Sequence, residues 1–368
     1  MHAGYHLYDT VETGPTEAQR DEMTQLTRLM SAFDVHMAPA SLASRSSAVS
    51  SFLRFCVAYG HEPCIPNKGT STIVLCEYAI YLAVSGKHKS ILPYLSNGCK
   101  YVCESFGGTW YSKSERPALY RTVRALDRIY GSPPKRKHPI TVDHLQKMSQ
   151  NTHNTTDPYI ATIWAAILVA FFAFLRKSAY CCSTTTSFNP VSNLTRSKLI
   201  KRKDRYVVQI THSKTIQLQD RVFEVWLPKF GGPLCPHKAI DNMLNLRRRH
   251  WGPISPNDPL FTVDSSGTPL TKARFARELT LLLTRSGIDA TYLTPHSLRR
   301  GGTTFAFQSG CSTACIKMQG DWVSDAYLIY ECFTDQLKMS TVQVIEGAMY
   351  SNPWERNPQR RGLFGSLR

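Results

Sequence analysis

The chain is short of negative charge. Its 368 residues carry 27 Asp and Glu against 44 Lys and Arg, a formal net charge of +17, which points to a polyanionic partner. Long apolar runs are also missing. The longest, Ile160 to Leu175, is interrupted by Thr162 and is too short to span a bilayer comfortably, so it reads as a buried core helix. With no lipidation motif and no basic amphipathic anchor, a membrane is not expected as a partner. Metal-binding spacing is lacking too. Cys99/Cys103 and Cys311/Cys315 have helical spacing, but no His or Cys pair nearby completes a zinc tetrad. The eleven cysteines are scattered through apolar or helical contexts, and the first thirty residues are polar and acidic with no secretory pattern. Reduced thiols of a cytosolic or nuclear protein are the expectation. No internal repeat suggests a solenoid.

What is present suggests two domains, because 368 residues exceed the size at which single cores stop growing. Residues 1–132 hold 13 basic and 11 acidic side chains, whereas residues 133–368 hold 31 and 16. The positive charge therefore sits almost entirely in the second half. Residues 1–40 read as a tail. From 41 to 132, apolar residues recur at helical spacing in Ser47–Tyr59, Ser71–Val84, Ser90–Ser105 and Ala118–Tyr130, which predicts a compact helical bundle. A basic, proline-rich linker follows at 133–139. Its Lys135, Arg136 and Lys137 suit a DNA backbone, a nuclear import signal or a merely solvated linker.

The second domain is expected over 140–340, with Thr141 capping its first helix and a buried helix from Ile160 to Leu175 running into Arg176. Lys203–Thr211 and Arg221–Leu227 alternate in polarity and predict a small antiparallel sheet with Lys214 in or beside its turn. A helix from Cys235 carries Arg247 and Arg248 at its end, either solvated or in contact with a DNA backbone. Thr294-Pro295 opens another helix. Residues 341–368 form a second tail. The fold class expected is thus mainly α with a small antiparallel β-sheet.

The richest chemistry lies in Thr294–Thr304 and Gly320–Tyr330. These stretches bring an imidazole (His296), a guanidinium (Arg299), an indole (Trp322) and two phenols (Tyr327, Tyr330) into a basic protein. Arginine neutralises non-bridging phosphate oxygens with a fixed fork of donors. Imidazole moves protons near neutral pH. A phenol can carry a phosphoryl group covalently once cations or a base lower its pKa from near 10.

Five separated pieces, in order, carry a resemblance: Leu175-Arg176, Ser213-Lys214-Thr215, the His296-x-x-Arg299 pair, Trp322, and Tyr330 eight residues after it. The chain resembles the tyrosine recombinases, the phage-integrase family, and within them the eukaryotic mobile-element branch of DIRS-like and Crypton type. The likeness spans roughly Ser41 to Tyr330. It departs from the family pattern at Ala179, where an acidic residue commonly steadies the first arginine.

The resemblance implies a core-binding domain followed by a catalytic domain, closing as a clamp on double-stranded DNA. It implies site-specific cleavage and rejoining through a 3′-phosphotyrosyl link, with no metal or other cofactor. Arg176 and Arg299 would hold the scissile phosphate, Lys214 would protonate the leaving 5′-oxygen, and His296 would handle the nucleophile's proton. Trp322 would pack the nucleophile's helix, Tyr330 would attack, and Tyr327 would be packing. Arg300 is expected to make a phosphate or surface contact. The resemblance further implies a homo-tetramer on paired sites, held by C-terminal tails docked on neighbours. The protein is expected in a nucleus, or a nucleoid if its source is prokaryotic or viral. The alternatives are an inactive DNA-binding descendant, supported by Ala179, and a type IB-like topoisomerase, which usually has lysine where His296 stands.

Overall fold

The computed structural model describes residues 39–63, 67–105, 107–131, 137–213, 216, 221–330, 342–343 and 345–346. The chain divides into two compact units, one ending at Pro134 and the other beginning at Lys135. The tails predicted at 1–40 and 341–368 lie almost wholly outside the described residues, as do Lys135 and Arg136.

Three helices frame the first unit: α1 (Pro39–Tyr59), α2 (Lys68–Leu82) and α3 (Pro117–Tyr130). Asn67 starts α2 by accepting bonds from the Gly69 and Thr70 amides. The single helix expected over Ser90–Ser105 is instead a run of short turns, Ile91–Tyr94, Leu95–Cys99 and Lys100–Ser105. Its apolar residues Ile91, Leu95, Cys99 and Val102 still reach the core shared with Phe52, Tyr78 and Leu82. On α3, Leu119, Val123 and Leu126 face that core and Arg121, Arg124 and Arg128 face solvent.

The second unit is built around α5 (Pro158–Phe172), which Asp157 caps through the Tyr159 and Ile160 amides. Every residue from Ala161 to Phe171 is buried, the condition in which a helix is apolar all round. Before it, Thr141 caps α4 (Val142–Ser149) in a reciprocal box with His144. After it come α6 (Lys177–Tyr180), a three-stranded sheet, and the helices α7 (Pro236–Trp251), α8 (Lys272–Arg285), α9 (Pro295–Gln308) and α10 (Thr313–Gln319).

The sheet is antiparallel in the order β1 (Leu199–Arg202), β2 (Arg205–Ile210), β3 (Phe223–Trp226). Leu199 pairs with Val208, and Val208 with Val225. The first strand had no sequence signal, because its sequence Leu-Ile-Lys-Arg does not alternate. The architecture is mainly helical with a small antiparallel sheet, as expected.

Candidate active site

Helix α9 carries three of the predicted site residues, His296, Arg299 and Arg300. Thr294 opens it with a capping box to Ser297 and Pro295 takes the first turn, so His296 sits at the mouth and Arg299 one turn further in. The helix presses against the C-terminal end of α5. A Cβ on Gly302 would lie 2.0 Å from the Phe171 carbonyl, so only glycine admits this approach.

That closeness delivers Arg299 into the core, where it is 3% exposed. Its Nη1 donates to the Phe174 carbonyl, its Nη2 donates to the Gly320 carbonyl at 2.9 Å, and its Cζ lies 3.9 Å above the Trp322 ring. Both carbonyls come from tight turns. Phe174 has φ 49° and Asp321, which follows Gly320, has φ 51°. A left-handed phenylalanine is a real conformational outlier that the surrounding packing must hold.

The helix expected to run to Leu175 therefore ends at Phe172, and the chain turns sharply through Phe174. Arg176 does not terminate the buried helix; it is the extended residue that starts α6. It is half-buried, and among the described residues its guanidinium has no hydrogen-bond or ion-pair partner. Ala179, one turn on, packs its methyl against the core. Among the described residues, no carboxylate pairs with Arg176.

His296 feels the charge of both arginines. Partial burial, then the cations of Arg299, Arg176 and Arg300, pushes its pKa below the ordinary value of 6.5. An imidazole so placed is neutral at pH 7 and can accept a proton. Residues far apart in the chain, 176, 296 and 299, thus share one electrostatic environment.

The indole of Trp322 closes the floor and is 8% exposed. A Cβ on Gly320 would fall 1.6 Å from its ring, so the residue before Asp321 must lack a side chain. Trp322, Phe174, Phe307 and Tyr327 form one small cluster. Tyr327 is 5% exposed and lies parallel to Phe307, with ring centroids 6.3 Å apart. Its position is one of packing. Tyr330 ends the short 3-10 helix Asp325–Tyr330, which a 2.9 Å ion pair from Lys317 to Asp325 ties to α10. Only the backbone of Tyr330 is described. Lys214 lies outside the described residues, but its flanks are clear: Ser213 and Ile216 exchange both backbone hydrogen bonds, at 3.1 and 3.2 Å.

The remaining basic residues have varied surroundings. Arg247 is not on the surface. It is 4% exposed and bonds the Pro259 carbonyl and the Asp258 carboxylate, each at 3.0 Å, so it braces a loop and does not await a phosphate. Arg248 is exposed. Arg300 donates to the Lys137 carbonyl at 2.5 Å, and Lys137 lies 5.9 Å from the Tyr292 ring. Two features of the site had no signal in the sequence. One is the pair of carbonyls holding Arg299, since backbone acceptors leave no trace in side-chain pattern. The other is an ion pair from Arg221 to Asp321 at 2.6 Å.

This arrangement has the fold of the site-specific recombinases and integrases. Among solved structures, the chain is similar to the Tn1549 transposon integrase in complex with circular intermediate DNA, with TM-score 0.57, 12% identity, and coverage of 87% of this chain and 98% of that one. It is similar to the XerH site-specific recombinase bound to palindromic difH substrate, with TM-score 0.56, 15% identity, and coverage of 92% and 91%. A lambda integrase tetramer bound to a Holliday junction gives TM-score 0.52 and 12% identity over 87% and 78%. At such identities the likeness is one of fold. No family profile and no curated protein matches the sequence.

Proposed function

We propose that this protein cleaves and rejoins DNA strands at specific sites, with Tyr330 as nucleophile. The observation that carries the reading is the common environment of Arg176, which starts α6, with His296 and Arg299 of α9, beside the indole of Trp322. Two guanidiniums on one phosphate would meet the charge that grows as the phosphorus is attacked. The Tyr330 oxygen would bond to phosphorus as the bond to the 5′-oxygen breaks. His296, neutral at pH 7, would take the phenolic proton, and Lys214 would give one to the leaving oxygen. The ester so formed keeps the bond energy needed to rejoin a second 5′-hydroxyl.

DNA is the partner the charge calls for. The second unit supplies most of it, and the exposed arginines 121, 124 and 128 of α3 add a basic stripe in the first. We place the protein in a mobile element, and in the nucleus, on the sequence resemblance and the basic linker. The fold it shares with a transposon integrase is in keeping with the first of these.

A homo-tetramer on paired sites is the assembly we assign. An apolar cavity of about 700 Å³, lined in part by Phe172, Trp226, Ile316 and Met318, would receive a neighbour's C-terminal segment. Sedimentation on paired sites checks this: a dimer as the largest species sinks the tetramer.

A DNA substrate nicked next to the scissile bond tests the chemistry by trapping the adduct. A covalent protein–DNA species is expected from the unaltered chain and from Tyr327→Phe, and none from Tyr330→Phe. An adduct that survives Tyr330→Phe means another nucleophile. Tight binding with no adduct from any form favours a DNA-binding descendant that has lost turnover, for which the missing carboxylate at Ala179 is the structural support.

A further inference from the structure

Two adjacent glycines let α9 press against backbone on two sides. Gly302 meets the end of α5. A Cβ on Gly301 would fall 1.9 Å from the Ile140 carbonyl, so there α9 touches the strap of residues 137–140, which belongs to no helix or strand. Backbone bonds pin the strap to the mouth of α9. The His138 amide donates to the Tyr292 carbonyl at 2.9 Å, and the Ile140 amide to the Ser297 carbonyl at 3.0 Å. The His138 and Tyr292 rings stack with centroids 5.2 Å apart. From α9 itself, Arg300 reaches back and donates through Nη1 to the Lys137 carbonyl at 2.5 Å. Its Nε is buried and has no hydrogen-bond partner among the described residues.

We propose that Arg300 is a positioning residue that fastens the 137–140 strap to α9 and so fixes the turn presenting His296 and Arg299. The inference rests on the strand-cleavage reading above. The sequence suggested a phosphate or surface contact for Arg300, but one Nη is turned to a carbonyl and Nε is shut away from solvent. Much of the fork that would grip an anion is therefore committed within the protein. His296 and Arg300 stand four residues apart on one helix face, with Arg299 next to Arg300 in the chain. A small rotation or slide of α9 thus moves all three together. Displacement of about 1 Å at a reacting group costs on the order of 10²-fold in rate.

Binding and rate separate this role from a phosphate contact. In the full chain, Arg300→Gln keeps a polar side chain but is too short to reach the Lys137 carbonyl. On the nicked substrate at saturating DNA, adduct formation should slow by about 10–100-fold. Affinity for the same DNA should stay within about threefold of the unaltered chain, as expected when an interaction acts on the rate and not on binding. The slope of affinity against salt should also be unchanged. A lost phosphate contact gives the reverse pattern, weaker binding to every sequence and a salt slope reduced by about one.

That reverse pattern overturns the proposal, and so does an unaltered rate or a loss of binding. Hydrogen exchange on the free protein gives an answer independent of turnover. The His138 and Ile140 amides should exchange at least severalfold faster in Arg300→Gln, while those of Ala165 to Val169 in α5 stay as they were. Unchanged exchange at His138 and Ile140 overturns the fastening. No adduct from the unaltered chain overturns the cleavage reading itself, and exchange alone then decides whether Arg300 holds the strap.

Discussion

Both units bury arginine, and Arg116 of the first and Arg299 of the second are handled differently. In the first unit, Arg116 is 2% exposed, donates one 2.8 Å bond to the Ser71 hydroxyl, and lies 5.0 Å from the rings of both Trp110 and Tyr111. Among the described residues, its Nε and Nη1 have no hydrogen-bond partner. In the second, Arg299 has directed bonds to two backbone carbonyls besides an indole face. Aromatic faces cushion a cation without fixing its rotation. Carbonyls placed by two left-handed turns fix the fork in one orientation, which is what recognition of a tetrahedral anion needs. A box of rings makes a buried charge tolerable; a frame of carbonyls aims it.

Methionine at each position puts the comparison under the most strain. Arg299→Met strands the Phe174 and Gly320 carbonyls, and unfolding free energy should fall by about 2–4 kcal/mol. Cleavage of the nicked substrate should fall by about 10²–10³-fold. Arg116→Met replaces a poorly bonded cation with an apolar chain of similar length. Stability there should stay level or rise by about 1 kcal/mol, with cleavage unchanged. Denaturant unfolding and adduct kinetics on the same two proteins decide the matter. Equal losses in both would end the distinction between cushioning and aiming.

A smaller effect sharpens the second unit's side. Gly302→Ala should cost about 2–3 kcal/mol, since the Phe171 carbonyl cannot yield to a Cβ without moving the end of α5. Arg299 should shift with it, so cleavage should fall further than stability alone predicts. A variant as stable as the parent would mean that α9 can slide without consequence.

The least effect concerns His296. Its folded pKa is lowered, so the unfolded chain binds the proton more readily between that value and 6.5. The stability it contributes is fully present above about pH 6.5 and is lost as pH falls from there toward the lowered value. Cleavage should hold its plateau below pH 6.5 and decline only at more acid pH. His296→Gln should flatten the acid side of both curves; an unchanged slope of stability against pH would show that Arg176 and Arg299 do not act on this ring.

Helix periodicity disclosed most of the first unit, because α1, α2 and α3 each bury one stripe and show it in spacing. The broken stretch from Ser90 to Ser105 was read as one helix, since its buried residues keep the helical interval while the backbone does not. The order of site residues came from the resemblance to the tyrosine recombinases, not from periodicity. Arg247 was misread because a basic run at a helix end looks the same whether its first member faces solvent or Asp258.

Local pattern alone therefore determined the class of fold, the basic second half, and the set of groups able to work on a phosphate. Those properties are written in composition and spacing, which need no contact between distant residues. Tertiary structure decided which cation is buried, which is open, and what aims it. Phe174, Gly320 and Asp321 act through backbone carbonyls, left-handed turns and one long-range ion pair. These interactions form between segments that meet only when the chain has closed.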